Sequence, residues 1–531
     1  MHSQKLVRDL IEATESVGAQ QEFPNDVNKI LTFSPEIGLE LMQYYMTINE
    51  NEYKKEEVCL RLILRCLDQL RYDLDKKSEK AIKLFHTLQD KISLLFQTGK
   101  ANKLAQLNAI IYESHLPFVL EINENLLSNT TKVMPDIIPK FPEFLEQIRR
   151  EHRIRSSFDL YDGLMSQLQM MPADVYIPMV SELAMTKKDM PHEVAVMMLL
   201  NPKSEVRTQI IKILTICANQ KVFTPLDLRR LIVIRNWIPS AERPPIDDLI
   251  KSLRLQGVSP APYPITKIDT IMASTFDGAG AQLILFGAKQ GSNRIIGGFI
   301  LKHDIGIREP WVDLKAAKGE IEGIVENSGL VFKPITINYV NKAVRHFIAD
   351  GHGHGNIPSP FFLQIAEILG ATEWQPELID MHAELSRLAD KIDDGFKTKE
   401  GIQASLDRSG QWHLSQPFFK CWFECGETAK NQLLDAIELH KKLGRKTKIS
   451  LEEVVTQKLI EPAINKWKTM ILFMCLWARS KSVKEPLWID LFILAGQLAQ
   501  EDIALADIPA IKNIAAQSAA SMFMHVNLDK K

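Results

Sequence analysis

The sequence predicts a mainly α-helical protein of helical-repeat architecture, with one small antiparallel β insertion near residues 268–303. Three observations carry this expectation. Apolar residues recur at helical spacing over long stretches on both sides of the insertion. Between residues 157 and 257 short helical segments come in pairs, at the roughly 32–35-residue interval of stacked helical repeats. Within 268–303 the text changes to IDTIMASTF, QLILFGAK and RIIGGFILKH, β-branched runs separated by the glycine turns Asp277–Gly280 and Gln290–Asn293.

A chain of 531 residues is too long for one core. Its 45% apolar and 24% charged shares are those of an ordinary globular protein. The 64 basic and 66 acidic residues leave a net charge of -2, which gives no support to a class that must hold a long nucleic-acid backbone. The N-terminal text lacks an apolar run of signal-peptide length. Met470–Trp477 and Leu487–Ala499 are shorter than the roughly 18–20 residues of a membrane span. No membrane span is expected, and the cytoplasm is the expected compartment. Six cysteines in so long a chain do not make a disulfide framework.

Taken in order, four regions are expected: N-terminal helices over 1–135, paired helices over 136–257, a proline spacer and small sheet over 258–333, and C-terminal helices over 334–531. In the first, Val58, Leu62, Cys66, Leu70 and Leu74 form one apolar stripe, and Ile82, Phe85, Leu88, Ile92 and Phe96 another. In the second, the pairs are 158–170 with 173–186, 191–200 with 204–218, and 225–237 with 245–255. A hairpin of that size cannot bury its apolar face alone, so neighbours are expected to stack.

The middle pair carries Asn201-Pro202-Lys203-Ser204-Glu205-Val206-Arg207. This text resembles the inter-helix turn of HEAT-type repeats, a short polar turn with proline leading into a helix that begins Val-Arg. Val206, Ile210, Ile213, Leu214 and Cys217 supply the inward stripe of that helix, and Arg207 is placed to face neighbouring turns. The other two pairs lack the motif. The resemblance covers residues 157–257, and it implies an α-solenoid scaffold whose concave face holds a protein partner.

Ser259–Pro264, with three prolines in five residues, is expected to be an extended spacer. The strands that follow lack clean alternation, so both faces of the sheet should be covered, and Gly287, Gly297 and Gly298 mark close backbone approach. Neither glycine turn contains a phosphate-binding motif. Between Pro334 and Gly370 the pattern reads helix, glycine–histidine loop, helix, and residues 395–416 read as polar connection.

Three constellations could carry chemistry. His346, Asp350, His352 and His354 are imidazole and carboxylate groups suited to a divalent transition metal, with His352 and His354 able to turn towards one ion if their segment is a loop. The plainer reading is a glycine turn that ends a helix. Cys421 and Cys425, with His413 upstream, are better explained as core thiols, since no second cysteine pair closes a tetrahedral site. Arg149, Arg150, Arg153 and Arg155 form the strongest basic run; a solvated helix face explains it more simply than nucleic-acid contact. No nucleophile elbow and no Ser-x-x-Lys motif is present. The function expected is therefore a non-enzymatic scaffold binding a protein, with metal binding or metal-dependent hydrolysis and nucleic-acid binding as alternatives. No organic cofactor is expected.

Overall fold

The computed structural model describes residues 2–14, 23–49, 51–76, 78–98, 101–118, 141–151, 154–168, 173–186, 189–220, 222–371, 374–425, 427–443, 450–480, 486–500 and 503–528. It is mostly helical, with one five-stranded antiparallel sheet. The chain divides into two compact units, residues 1–195 with 426–428, and residues 196–425 with 429–531. The division falls inside the paired-helix stretch.

In the first unit the helix Tyr53–Asp75 is central, packed by Ile37–Thr47, Glu79–Thr98 and Ala101–Glu113. Its stripe points inward as the four-residue spacing predicts: Val58, Leu62, Cys66 and Leu70 are buried, and Leu74 at its end is partly buried. The stripe on Glu79–Thr98 is rotated from its expected face. Leu88 and Ile92 are buried, but Ile82 is 41% exposed and Ala81 takes the inward position. Among the described residues, Lys103 is carried into this core, and it is compensated there. Its ammonium donates to the Tyr45 carbonyl at 2.9 Å and pairs with Glu56 at 2.7 Å.

In the second unit the helix Ser204–Ala218 is followed by Pro225–Trp237 and Arg243–Leu255. Thr224 and Asp227 close a capping box at the start of Pro225–Trp237. Val206, Ile210, Leu214 and Cys217 of the expected inward stripe are buried, whereas Ile213 is only half-buried and Ile211 is buried beside them. Arg207 spans the interval between successive pairs. Its guanidinium donates to Glu242, 35 residues on, at 2.7 and 2.5 Å, and to the carbonyls of Asn201 and Pro202 at 2.7 and 2.9 Å. The spacer is extended and lies along the Pro225–Trp237 helix, where Ala261 N–H donates to the Pro225 carbonyl and Arg229 covers the Tyr263 ring.

The sheet has the order β4-β3-β2-β1-β5, with β1 Lys267–Ser274, β2 Ala281–Gln290, β3 Asn293–Lys302, β4 Gly306–Asp313 and β5 Phe332–Pro334. Every neighbouring pair is antiparallel. The two-residue loop Gly291–Ser292 joins β2 to β3 and sets Gln290 opposite Asn293, with positive φ at Gly291 alone. Two strands lie beyond the expected insertion. β4 contains Pro310 and a positive-φ Glu309, features that belong to an edge, and β5 is only three residues long. Neither produces the apolar run that marks a central strand. Both faces of β2 and β3 are indeed covered: Ile284, Leu285, Phe286, Ile295, Ile296 and Phe299 are all buried. A Cβ on Gly297 would stand 2.7 Å from the Trp311 carbonyl, so the expected close approach is present.

So small a sheet is not stable by itself. Burying each of its large apolar side chains contributes roughly 1.5–3 kcal/mol only because helices cover them. Indole donors complete the docking. Trp477 donates to the Ala273 carbonyl at 2.9 Å and Trp422 to that of Phe276 at 3.0 Å. The aromatic residues Trp412, Phe418, Phe419 and Trp422 are buried and pack together and on Trp467, and the adjoining Phe423 is half-buried. Residues 395–416 are not merely connection, because Thr398 caps a helix Lys399–Ser409. Cys421 is exposed and Cys425 half-buried, which corrects their reading as core thiols; their segment is a 3₁₀ turn and loop.

Candidate metal centre

The glycine–histidine stretch is not a loop. The helix Ile337–Gly353 runs on through Asp350, Gly351 and His352. Helical geometry then decides which side chains can meet. At about 100° per residue, Asp350 and His354 lie on one face, whereas His352 is turned roughly 200° from Asp350. His352 accordingly contacts the Trp237 carbonyl through Nε2, at 2.6 Å. His346 is one turn before Asp350, buried, and accepts the Ile379 N–H on Nδ1 at 3.1 Å. That bond places its neutral-form proton on Nε2, so no lone pair is left for a metal. Of the four residues singled out in this stretch, the structure keeps Asp350 and His354 together and sends His346 and His352 to structural partners.

Two further ligand types arrive from the β3–β4 turn. His303 and Asp304 follow β3 directly, and Asp304 adopts the left-handed region with φ 65. Aspartate tolerates that conformation better than most residues. The turn lies against the helix because two glycines permit backbone contact. A Cβ on Gly306 would be 2.9 Å from the Phe347 carbonyl, and one on Gly351 would be 2.9 Å from the Ile305 carbonyl. The Asp304 N–H thereby donates to Asp350 Oδ2 at 2.7 Å.

His303, Asp304 and Asp350 each offer a ligand atom, all within 4.8 Å of one another. His303 Nε2 is 3.1 Å from Asp304 Oδ1, and His303 Nδ1 is 3.7 Å from Asp350 Oδ2. His354 Nε2 is 3.3 Å from Asp304 Oδ1, and its Nδ1 faces the Asp350 carbonyl at 3.0 Å. Asn356 donates to the Asp304 carbonyl at 3.2 Å.

Burial governs the ionisation here. It lowers the His303 pKa, against the opposing pull of the Asp350 and Asp304 carboxylates, and it raises that of Asp350 in spite of His303. His346 is pushed down to about 4 by burial and by the neighbouring His303. Burial also lowers His352. Lys466 adds positive potential at His303, but its ammonium is paired with Glu424 at 2.7 Å and donates to the Gly278 carbonyl at 2.8 Å.

Of the basic run, Arg149, Arg150 and Arg155 are among the described residues. Arg149 pairs with Glu146 at 2.7 Å, Arg150 Nε donates to the Glu146 carbonyl, and the Arg155 N–H donates to Asp159. Arg153 lies outside the described residues. His303 and Asp304 escaped sequence reasoning because a His-Asp pair at a strand end has no spacing signature. Only the fold brings it to the helix 46 residues away.

A family model described as the Y4lR second domain matches residues 172–257, and one described as the Y4lR C-terminal helical domain matches residues 382–523. The chain is 29% identical over 207 residues to a protein of Sinorhizobium fredii whose name reads "Uncharacterized protein y4lR". That similarity takes in 37% of this chain and 39% of the relative, so the match spans about two fifths of the relative's length. No solved structure matches. The His303, Asp304, Asp350 and His354 positions fall between the two family-model matches. No helix among the described residues is long and apolar enough to cross a membrane.

Proposed function

We propose that the chain is a non-enzymatic scaffold, a HEAT-like stack of helical pairs that binds a protein partner. The observation that carries this reading is the Arg207 clamp. One repeat interval separates Arg207 from Glu242, and the two join the start of one helical pair's second helix to the turn before the next pair's second helix. Stacked pairs joined in this way expose continuous surfaces rather than a single pocket. Leu255 and Ile265, at the two ends of the proline spacer, are 80% and 95% exposed. Large apolar side chains offered to solvent beside a stiff extended segment suit contact with another protein.

The test compares the intact chain with a Leu255→Glu/Ile265→Glu variant, both purified from the native cells. The reading expects at least one protein to co-purify in constant ratio with the parent and to fall at least tenfold with the variant. Matching circular dichroism establishes that both are folded. Identical co-purifying proteins, or none with either chain, would overturn it.

A further inference from the structure

We propose that His303, Asp304, Asp350 and His354 form a binding site for a divalent transition-metal ion, zinc foremost, that clasps the β3–β4 turn to the end of the Ile337–Gly353 helix.

The donor set points to this class of ion. Two imidazoles and two carboxylates are borderline ligands, preferred by zinc and its first-row neighbours, whereas magnesium and calcium favour oxygen alone. The spacing fits as well. Ligand atoms about 2.0–2.1 Å from a tetrahedral zinc stand about 3.3 Å apart. With His303 ligating through Nδ1, 3.7 Å from Asp350 Oδ2, and His354 through Nε2, 3.3 Å from Asp304 Oδ1, these two pairs of ligand atoms stand close to that separation.

Hydrogen bonding prepares two of the ligands. His354 Nδ1–H donating to the Asp350 carbonyl leaves the Nε2 lone pair facing Asp304, the arrangement in which histidine binds zinc. The Asp304 N–H donating to Asp350 orients that carboxylate.

A separate observation points to a missing partner. His303 Nδ1 is buried and makes no hydrogen bond. Buried polar atoms are ordinarily satisfied, and an orphan calls for an explanation. A cation shared with the adjacent carboxylates supplies one. The cluster also brings together residues from two elements, held in contact by the paired close approach of Gly306 and Gly351. The half-buried His303, Asp304 and Asp350 are therefore brought together by the fold itself, and the more exposed His354 flanks them.

The experiment strips the intact protein with a chelator and titrates it separately with zinc, cobalt(II) and magnesium, reading bound metal per chain after desalting. One zinc or cobalt ion per chain is expected, with magnesium not retained, together with a cobalt absorption spectrum of tetrahedral nitrogen–oxygen type. His303→Ala/His354→Ala is expected to weaken binding at least tenfold. Asp304→Asn, which keeps size and turn preference, should do the same while remaining folded. His352→Ala is expected to bind as the parent does, because His352 faces Trp237. The metal should raise the thermal midpoint of the parent and of His352→Ala only. No metal retained by the parent overturns the proposal, as does undiminished binding by the folded His303→Ala/His354→Ala or Asp304→Asn proteins.

Discussion

His346 shows how one side chain's surroundings reverse what its chemistry suggests. Buried beside Phe347 and Phe473, it is held neutral, with its pKa lowered to about 4. The unfolded chain takes up a proton on this residue below its ordinary value of 6.5, while the folded chain does not. Stability is therefore expected to fall as pH drops from 6.5 towards 4, with this residue contributing about 2 kcal/mol of the loss between pH 7 and pH 5. Urea unfolding of the parent and of His346→Gln at both pH values measures it. The variant should lose correspondingly less, and equal losses would remove His346 as the cause. The composition of the glycine–histidine stretch was legible from sequence. Which imidazole faces which way was not, because two-residue spacing means one thing in a loop and the opposite in a helix.

At the level of elements, the sheet is held by contacts too close for a side chain. Gly278 is the sharpest case: a Cβ there would lie 2.5 Å from the carbonyls of both Cys421 and Phe423. Its N–H donates to the Cys421 carbonyl at 2.8 Å, so turn and loop touch backbone to backbone. Gly278→Ala is expected to destabilise the protein by about 1–3 kcal/mol, since backbone cannot yield as a side chain can. Gly323 is the counterexample, lying inside the helix Glu320–Asn327 with open space around its Cβ position. Gly323→Ala should stabilise by roughly 0.5–1 kcal/mol. Denaturant midpoints of the two variants should therefore move in opposite directions, and a shared direction would refute the packing argument. Glycines at these turns were visible in the sequence as turn residues. The loop 421–423 that Gly278 meets was not, because it lies more than 140 residues away.

For the whole molecule, the second unit carries its own core, with Trp237, Trp374, Trp422, Trp467 and Trp488 almost wholly buried. Helices on both sides of the sheet in sequence enclose it, so that unit should be self-sufficient. A fragment comprising residues 189–531 is expected to unfold in one cooperative transition, with near-ultraviolet circular dichroism of immobilised indoles. Gradual melting without such a signal would show that its core needs the preceding residues. The periodicity of Val206, Ile210, Leu214 and Cys217, the capping box Ser450–Glu453, and the glycine turns bounding β2 are local statements. The sequence by itself determined these, because helix and hairpin preferences depend on neighbours within a few residues. Tertiary structure decided what no local spacing encodes: the edge strands β4 and β5, the exposure of Cys421, and the meeting of His303 and Asp304 with Asp350. The physical reason is range. A helical face follows from an interval of three or four residues, whereas a ligand set follows from which backbones can approach, and here that rests on Gly306 and Gly351.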